Sequence, residues 1–268
     1  MDIAIPSAYR ADKKARSLEQ LSDVDGTSVT FYVPDDQVGE YLRFLPKWVD
    51  VASVPNCDTV NVARNAIHSD YAGQRIVVME DDVPWFVASR HCVDPRLHTG
   101  PPSSPRLTIV DVAKMGWAAA DTAGAEMWGV YPVAYSGTAL KPRVGVGSLF
   151  LVGHAVGLDL RHGWAPRLEL PIKEDYELTA LALERTGRVV RLDLVAPYST
   201  SGKGEGGTRV YRNPQQEAAA ADALCARWPQ WFTPKPTERE GLAQVAMDNT
   251  GVKYVTVTPE AGWAPYGQ

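Results

Sequence analysis

Three consecutive carboxylates, Glu80-Asp81-Asp82, follow directly on the apolar run Ile76-Val77-Val78-Met79. A β-branched run of this kind reads as a buried parallel strand. Acidic side chains at its carboxyl end stand where open α/β sheets bind their ligands. Hard divalent cations take oxygen ligands, and Mg²⁺ or Mn²⁺ commonly bridges one or two carboxylates to a substrate phosphate. The stretch therefore fits a metal–diphosphate site, and it also fits a plain acidic turn behind a core strand. A second acidic cluster, Glu174-Asp175, comes about ninety residues later. At a helix start those carboxylates oppose the dipole favourably. They could equally present a general base, because transfer to a hydroxyl needs a carboxylate within reach of its proton. The two clusters on one α/β pattern favour the catalytic reading.

Other chemistries find little support. Gly202-Lys203-Gly204-Glu205-Gly206-Gly207 has the GxGxxG spacing, but it lies late in the chain. A dinucleotide fingerprint closes an early strand and opens a helix. No GxxxxGK[ST], HExxH or GxSxG motif occurs, and His68, His91, His98, His154 and His162 lack zinc spacing with the cysteines.

The elements that must position the clusters alternate. Strands are expected at 3–5, 29–33, 49–54 and 76–79, and helices at 11–21, 37–45 and 60–71. This order predicts right-handed crossovers and a mostly parallel sheet. Further on, helices are expected at 109–125 and 173–185, and strands at 129–133, 148–153 and 189–195. Loops rich in glycine, proline or serine fill 98–105 and 199–207, and an Ala-rich helix follows Asn213. The fold class expected is α/β, a Rossmann-like central sheet flanked by helices. Its main domain would span 1–200, and 201–268 would form a helical and loop extension on or near the site.

The chain has 268 residues, 45% hydrophobic and 22% charged, enough for one large α/β domain or for a domain with an appendage. No apolar stretch approaches the roughly 20 residues that cross a membrane. The chain opens on an expected strand instead of a secretory signal, and Cys57, Cys92 and Cys225 are scattered and odd in number. Both features predict a reducing, cytoplasmic setting. The net charge of -5 does not advertise nucleic-acid binding. Lys13-Lys14-Ala15-Arg16, Lys141-Pro142-Arg143 and the stretch from Lys203 to Arg212 are local basic patches, usually solvated faces.

Five motifs in order carry a resemblance. They are Ile5-Pro6-Ser7-x-Tyr9-Arg10, Ala63-Arg64-Asn65, Met79-Glu80-Asp81-Asp82, Trp128-Gly129-Val130-Tyr131-Pro132 and Lys173-Glu174-Asp175-Tyr176. Over about residues 1–200 the set resembles GT-A nucleotide-sugar glycosyltransferases. More narrowly it is similar to the TET/JBP-associated glycosyltransferases of bacteriophages and kinetoplastids, thought to glycosylate hydroxymethylated pyrimidines in DNA. The resemblance implies a GT-A-like fold, a Mn²⁺ or Mg²⁺ cofactor, a nucleotide-sugar donor of the UDP type, and modified DNA such as hydroxymethylcytosine DNA as acceptor. For a phage-encoded enzyme the setting would be the host cytoplasm.

It also implies roles. Pro6, Ser7, Tyr9 and Arg10 would hold the nucleotide, Asp35 the base or ribose, and Arg64 and Asn65 the diphosphate and donor sugar. Asp82 corresponds best to the metal-binding last carboxylate, with Glu80 supporting it and Asp81 placed with the donor. Asp175 would deprotonate the acceptor hydroxyl if the anomeric centre inverts, with Glu174 as the fallback. The acid motif is Glu-Asp-Asp where the family has Asp-x-Asp, and neither His154 nor His162 is assigned as a third ligand. Trp117, Trp128, Trp164 and Tyr198 are candidates for stacking on a flipped or single-stranded base. Two other readings stay open: a glycan, lipid or protein acceptor, and a silent nucleotide- or DNA-binding module. The sugar, hydroxymethylcytosine against hydroxymethyluracil, and the oligomeric state are not encoded legibly.

Overall fold

A computed structural model describes residues 1–12, 15–21, 26–89, 106–132, 140–198, 213–235 and 243–257. The loops expected at 98–105 and 199–207 and the basic stretch from Lys203 lie outside these residues.

The first half alternates as the apolar runs require. β1 (Asp2–Pro6), β2 (Ser28–Pro34) and β3 (Asp50–Val54) are parallel neighbours, with α1 (Val38–Phe44) and α2 (Val60–Asp70) in the connections. β4 (Arg75–Met79) returns to the other side of β1, again parallel. β5 (Trp85–Ala88) and β6 (Arg106–Leu107) then leave the main sheet, and α3 (Ile109–Ala123) leads to β7 (Met127–Val130). β8 (Arg143–Gly147), β9 (Ala155–Asp159), α4 (Glu174–Thr186), β10 (Val189–Leu192) and β11 (Val195–Tyr198) follow. The C-terminal part holds α5 (Pro214–Arg227), β12 (Phe232–Pro234), β13 (Val245–Met247) and β14 (Lys253–Thr256).

The main sheet has nine strands in the order β14-β8-β10-β7-β9-β4-β1-β2-β3. β8 and β9 run against the other seven, so the expected mostly parallel α/β sheet is present with two reversed strands. Alternate side chains divide between the faces, as the pleat demands. Ile3, Ile5, Val77 and Met79 pack on the side of α3, while Ala4, Ile76 and Val78 pack on the side of α2 and α4. β5, β6 and β11 form a separate three-stranded sheet, and β12 pairs with β13. No helix among the described residues is long and apolar enough to cross a membrane.

The strand expected over 189–195 is divided between β10 and β11, which lie in different sheets, and two further expected elements differ in kind. The helix expected over 11–21 is a 3-10 turn, Arg16–Gln20. Its polar side chains are buried on the backbone of the acid run: Ser17 Oγ donates to the Glu80 carbonyl at 2.5 Å and Gln20 Nε2 to the Val83 carbonyl at 2.7 Å. The strand expected over 148–153 is a loop between β8 and β9. Leu149 and Leu151 are fully buried there, and Phe150 stacks on Tyr176 of α4 at 3.9 Å. The apolar pattern records burial beneath α4 and not ladder pairing.

The centre of the sheet is closed by Trp128, which lies opposite Gly157 on β9. A Cβ at Gly157 or at Gly116 of α3 would collide with the indole. Gly157→Ala is expected to lower stability by about 1–3 kcal/mol through overpacking, read as a fall in Tm. Gly39→Ala, at an open position, is the control. Equal losses in both variants would show that the indole clash is not the cause.

Candidate active site

The topology reverses at β1, since β2 and β3 lie to one side and β4 to the other. A crevice outside the carboxyl ends of strands at such a reversal is the usual ligand site of open α/β sheets. Ser7 and Arg10 follow β1 there, and Glu80-Asp81-Asp82 follow β4. Asp81 is held on both oxygens: Ser7 Oγ donates to Oδ2 at 2.5 Å and Arg10 Nη1 to Oδ1 at 2.7 Å. Tyr41 OH lies 2.7 Å from the same Ser7 hydroxyl. The middle carboxylate thus ties the two loops together.

Glu80 turns the other way, its Oε2 lying 2.5 Å from His154 Nδ1. His154 immediately precedes β9, whose antiparallel pairing with β4 brings a strand start to this edge. Burial opposes charge on Glu80, but the His154 imidazole outweighs it, helped by Arg64 and Arg10, and the carboxyl falls to about 2. Burial likewise opposes a cationic His154; Glu80, then Asp82 and Asp175, raise it nonetheless. Asp82 moves upward, first through burial and then through repulsion from Glu80 and Asp81.

α2 supplies Arg64, which is 1% exposed. Its Nη2 donates to the Gly153 carbonyl at 3.4 Å, while Nε and Nη1 have no hydrogen-bond partner. Nε lies 3.6 Å from Glu174 Oε1. Buried N–H groups without a hydrogen bond cost stability, and at Nε the Glu174 carboxylate offsets part of that cost. Asn65, next on the helix, is taken up by the backbone of Leu168: Nδ2 donates at 2.9 Å and Oδ1 accepts at 2.8 Å. His68 Nδ1 lies 2.9 Å from the Pro166 carbonyl, and burial drops this imidazole to about 4. One face of α2 therefore clamps the segment that leads into α4.

Glu174 and Asp175 open α4, where the carboxylates favourably face the helix dipole. Burial raises Glu174, Asp175 adds to that, and Arg64 offsets part of it, leaving the carboxyl at about 7. Asp175 is raised mainly by burial, with Arg64 working against it. Its Oδ1 accepts from the Tyr176 amide at 2.9 Å. Glu80 and His154 act electrostatically on Asp175, so the two acidic clusters share one field.

The other expected donor residues lie at or just past the carboxyl ends of β1 and β2. Pro6 ends β1. Tyr9, at φ 59°, is exposed, and its amide donates to Gln37 Oε1 at 2.7 Å. Asp35 is exposed just past β2 and accepts from Ser53 Oγ. Of the stacking candidates, Trp128 and Trp164 are core, and Trp117 packs edge-on against Trp128. Tyr198 is exposed and stacks on Trp85 at 4.5 Å, with the Arg106 guanidinium over the Trp85 ring. In the basic patch at 141–143, Arg143 pairs with Asp193 at 3.0 Å. His154 was not reachable from spacing, because its place depends on which strand joins β4.

The donor set suits a hard divalent cation. Asp82, raised first by burial and then by its two neighbouring carboxylates, gains from a positive charge beside it. Among the described residues no three His, Cys, Asp or Glu side chains already form a metal-holding group.

No family model matches the chain. No curated protein matches it either. Solved structures do. Glucosyl-3-phosphoglycerate synthase from Mycobacterium tuberculosis, in complex with Mn²⁺, uridine-diphosphate and phosphoglyceric acid, is 12% identical, with a TM-score of 0.49. That match covers 96% of this chain and 86% of that one. CMP:2-keto-3-deoxy-manno-octonic acid synthetase complexed with CTP is 12% identical, with a TM-score of 0.43, over 85% of this chain and 98% of that one.

Proposed function

We propose that the chain is a metal-dependent glycosyltransferase that moves a sugar from a nucleotide-sugar donor, of the UDP type, to the hydroxymethyl group of a modified pyrimidine in DNA. The observation that carries the reading is Arg64: a buried guanidinium whose Nε and Nη1 lack hydrogen-bond partners, with Nε 3.6 Å from the Glu174 carboxylate. A diphosphate leaving group would satisfy those donors.

In this reading Asp82 and Glu80 hold Mn²⁺ or Mg²⁺. When bound, the cation stabilises negative charge developing on the leaving diphosphate. Asp81, locked by Ser7 and Arg10, fixes the loop that aims both neighbours. Pro6, Ser7, Tyr9 and Arg10 border the nucleotide, and Asp35 reaches its ribose or base. Arg64 donates to the diphosphate, and Asn65 keeps the 166–168 segment in register. Asp175 takes the proton of the acceptor hydroxyl, while Glu174 beside Arg64 is the fallback. Preorganised donors around the leaving group are the largest part of such catalysis. Residues 1–200 carry the transferase site, and 201–268 form an extension that adds β14 to the edge of the main sheet, in a cytoplasmic setting.

The Tyr198–Trp85–Arg106 stack supports a nucleobase acceptor, because Trp85 comes three residues after Asp82. The net charge of -5 supports a glycan, lipid or protein acceptor instead. The test pairs hydroxymethylcytosine DNA with a panel of nucleotide sugars, Mn²⁺ and an EDTA control, and reads digested nucleosides by mass spectrometry. A sugar mass increment that EDTA removes supports class, acceptor and metal together. Donor hydrolysis without an increment moves the acceptor away from DNA. Silence in both favours a binding module.

Arg64 gives a separate check. A Cβ at Gly153 would collide with its Nη2, at the far end of the side chain. Gly153→Ala is expected to displace the guanidinium while leaving Tm nearly unchanged. Loss of one charge-assisted hydrogen bond is worth about 1.5–3 kcal/mol, so donor affinity should fall by roughly 10- to 100-fold. Unchanged donor affinity in that variant would remove Arg64 from the donor site.

A further inference from the structure

The residue before α4 is strained. Lys173 has φ 62°, a left-handed conformation disfavoured for any residue with a Cβ. Such strain persists where the surroundings over-determine it, and it gathers at functional positions. Here the surroundings are identifiable. Lys173 Nζ is paired with Glu217 Oε2 of α5 at 2.5 Å and donates to the Ala243 carbonyl at 2.9 Å. Both side chains are buried, Glu217 completely. The Glu177 amide, in the first turn of α4, donates back to the Lys173 carbonyl at 3.1 Å. Glu177 Oε2 meanwhile accepts from the amides of Glu169 and Leu170 at 2.9 and 2.8 Å.

A fully buried ion pair is weak evidence for stability, since apolar residues of similar volume often serve as well. Apolar residues would not reproduce a fixed distance from α5 to the backbone at 173. The next two residues are Glu174 and Asp175. We propose that Lys173 and Glu217 are a positioning pair, through which α5 holds the first turn of α4 so that Asp175 meets the acceptor hydroxyl. The pair touches no reacting atom and acts through the backbone of 173–175. The inference rests on the reading of Asp175 as the base.

The test is the double variant Lys173→Gly with Glu217→Gln in the full chain. It removes both charges together, and glycine adopts the left-handed conformation without strain. Misplacement of a reacting group by about 1 Å can cost on the order of 10²-fold in rate. The double variant is therefore expected to keep its fold and its donor Kd and KM. Its kcat should fall about 10- to 100-fold, while amide exchange rises in the first turn of α4 and not beyond. Glu217→Asp, which keeps the charge, should recover part of both.

A purely structural role would lower Tm without splitting kcat from KM. Unchanged kcat in the folded double variant overturns the proposal, whether or not exchange rises. If the wild type transfers sugar to no acceptor, the glycosyltransferase reading fails separately. Exchange then decides the positioning claim, and unchanged first-turn protection overturns it.

Discussion

Asp82→Ala is expected to abolish metal-dependent transfer while the protein stays folded. A metal at a developing diphosphate contributes several kcal/mol, and each 1.36 kcal/mol is tenfold in rate. A loss of about 10³-fold in kcat follows for a site whose main cation ligand is gone. The effect on stability has the opposite sign. Asp82 is raised by burial and by Glu80 and Asp81, so the folded state binds its proton more tightly than the unfolded chain does. Its contribution to stability therefore falls as pH rises from the unfolded pKa through the raised folded one, and above that range the ionised group disfavours folding. In metal-free buffer Asp82→Ala should melt no lower than the wild type. Kinetics with titrated Mn²⁺ and thermal melts in EDTA measure the two halves. Full activity in the variant would sink the metal assignment.

The second large effect is expected at Asp175. General-base catalysis is worth about 10²–10⁴-fold, and Asp175→Asn keeps the shape while removing the base. Donor binding, read by calorimetry with the nucleotide sugar, should hold within about twofold as transfer drops by that factor. Burial raises both Asp175 and its neighbour Glu174, the latter to about 7. A base must be deprotonated to act, so the wild-type rate should climb with pH through a range above that of an ordinary aspartate. That acid limb should vanish in Asp175→Asn. If Glu174→Gln loses the rate and Asp175→Asn keeps it, the two carboxylates exchange roles.

The parallel half of the sheet was legible because each of its apolar runs ended at a proline or an acidic group. Glu80–Asp82 and Glu174–Asp175 were legible for a related reason: sequence order on an α/β pattern brings strand ends and helix starts to one edge. The meeting of Arg64 with Glu174 follows from the same logic. His154 was not legible, since antiparallel β9 joins β4 by a non-local choice that no local pattern records. The segments at 11–21 and 148–153 misled because apolar residues packed on the core, Ala15, Leu18 and Leu21 in one and Leu149 and Leu151 in the other, mimic periodicity. Asn65 was legible as a site residue, whereas its bond to Leu168 depends on a loop 103 positions away.

That last distance has a counterpart at every joint of the site. Ser7 and Asp81 are 74 positions apart, Glu80 and His154 another 74, and Arg64 and the Gly153 carbonyl 89. Contacts between positions so far apart close long loops, whose entropy must be overcome before the contact stabilises anything. No contiguous stretch of the chain therefore carries a rudimentary version of the crevice. β1, α2, β4, β9 and α4 must all have docked before its charges face one another, so the site belongs to the finished topology and is assembled late in folding.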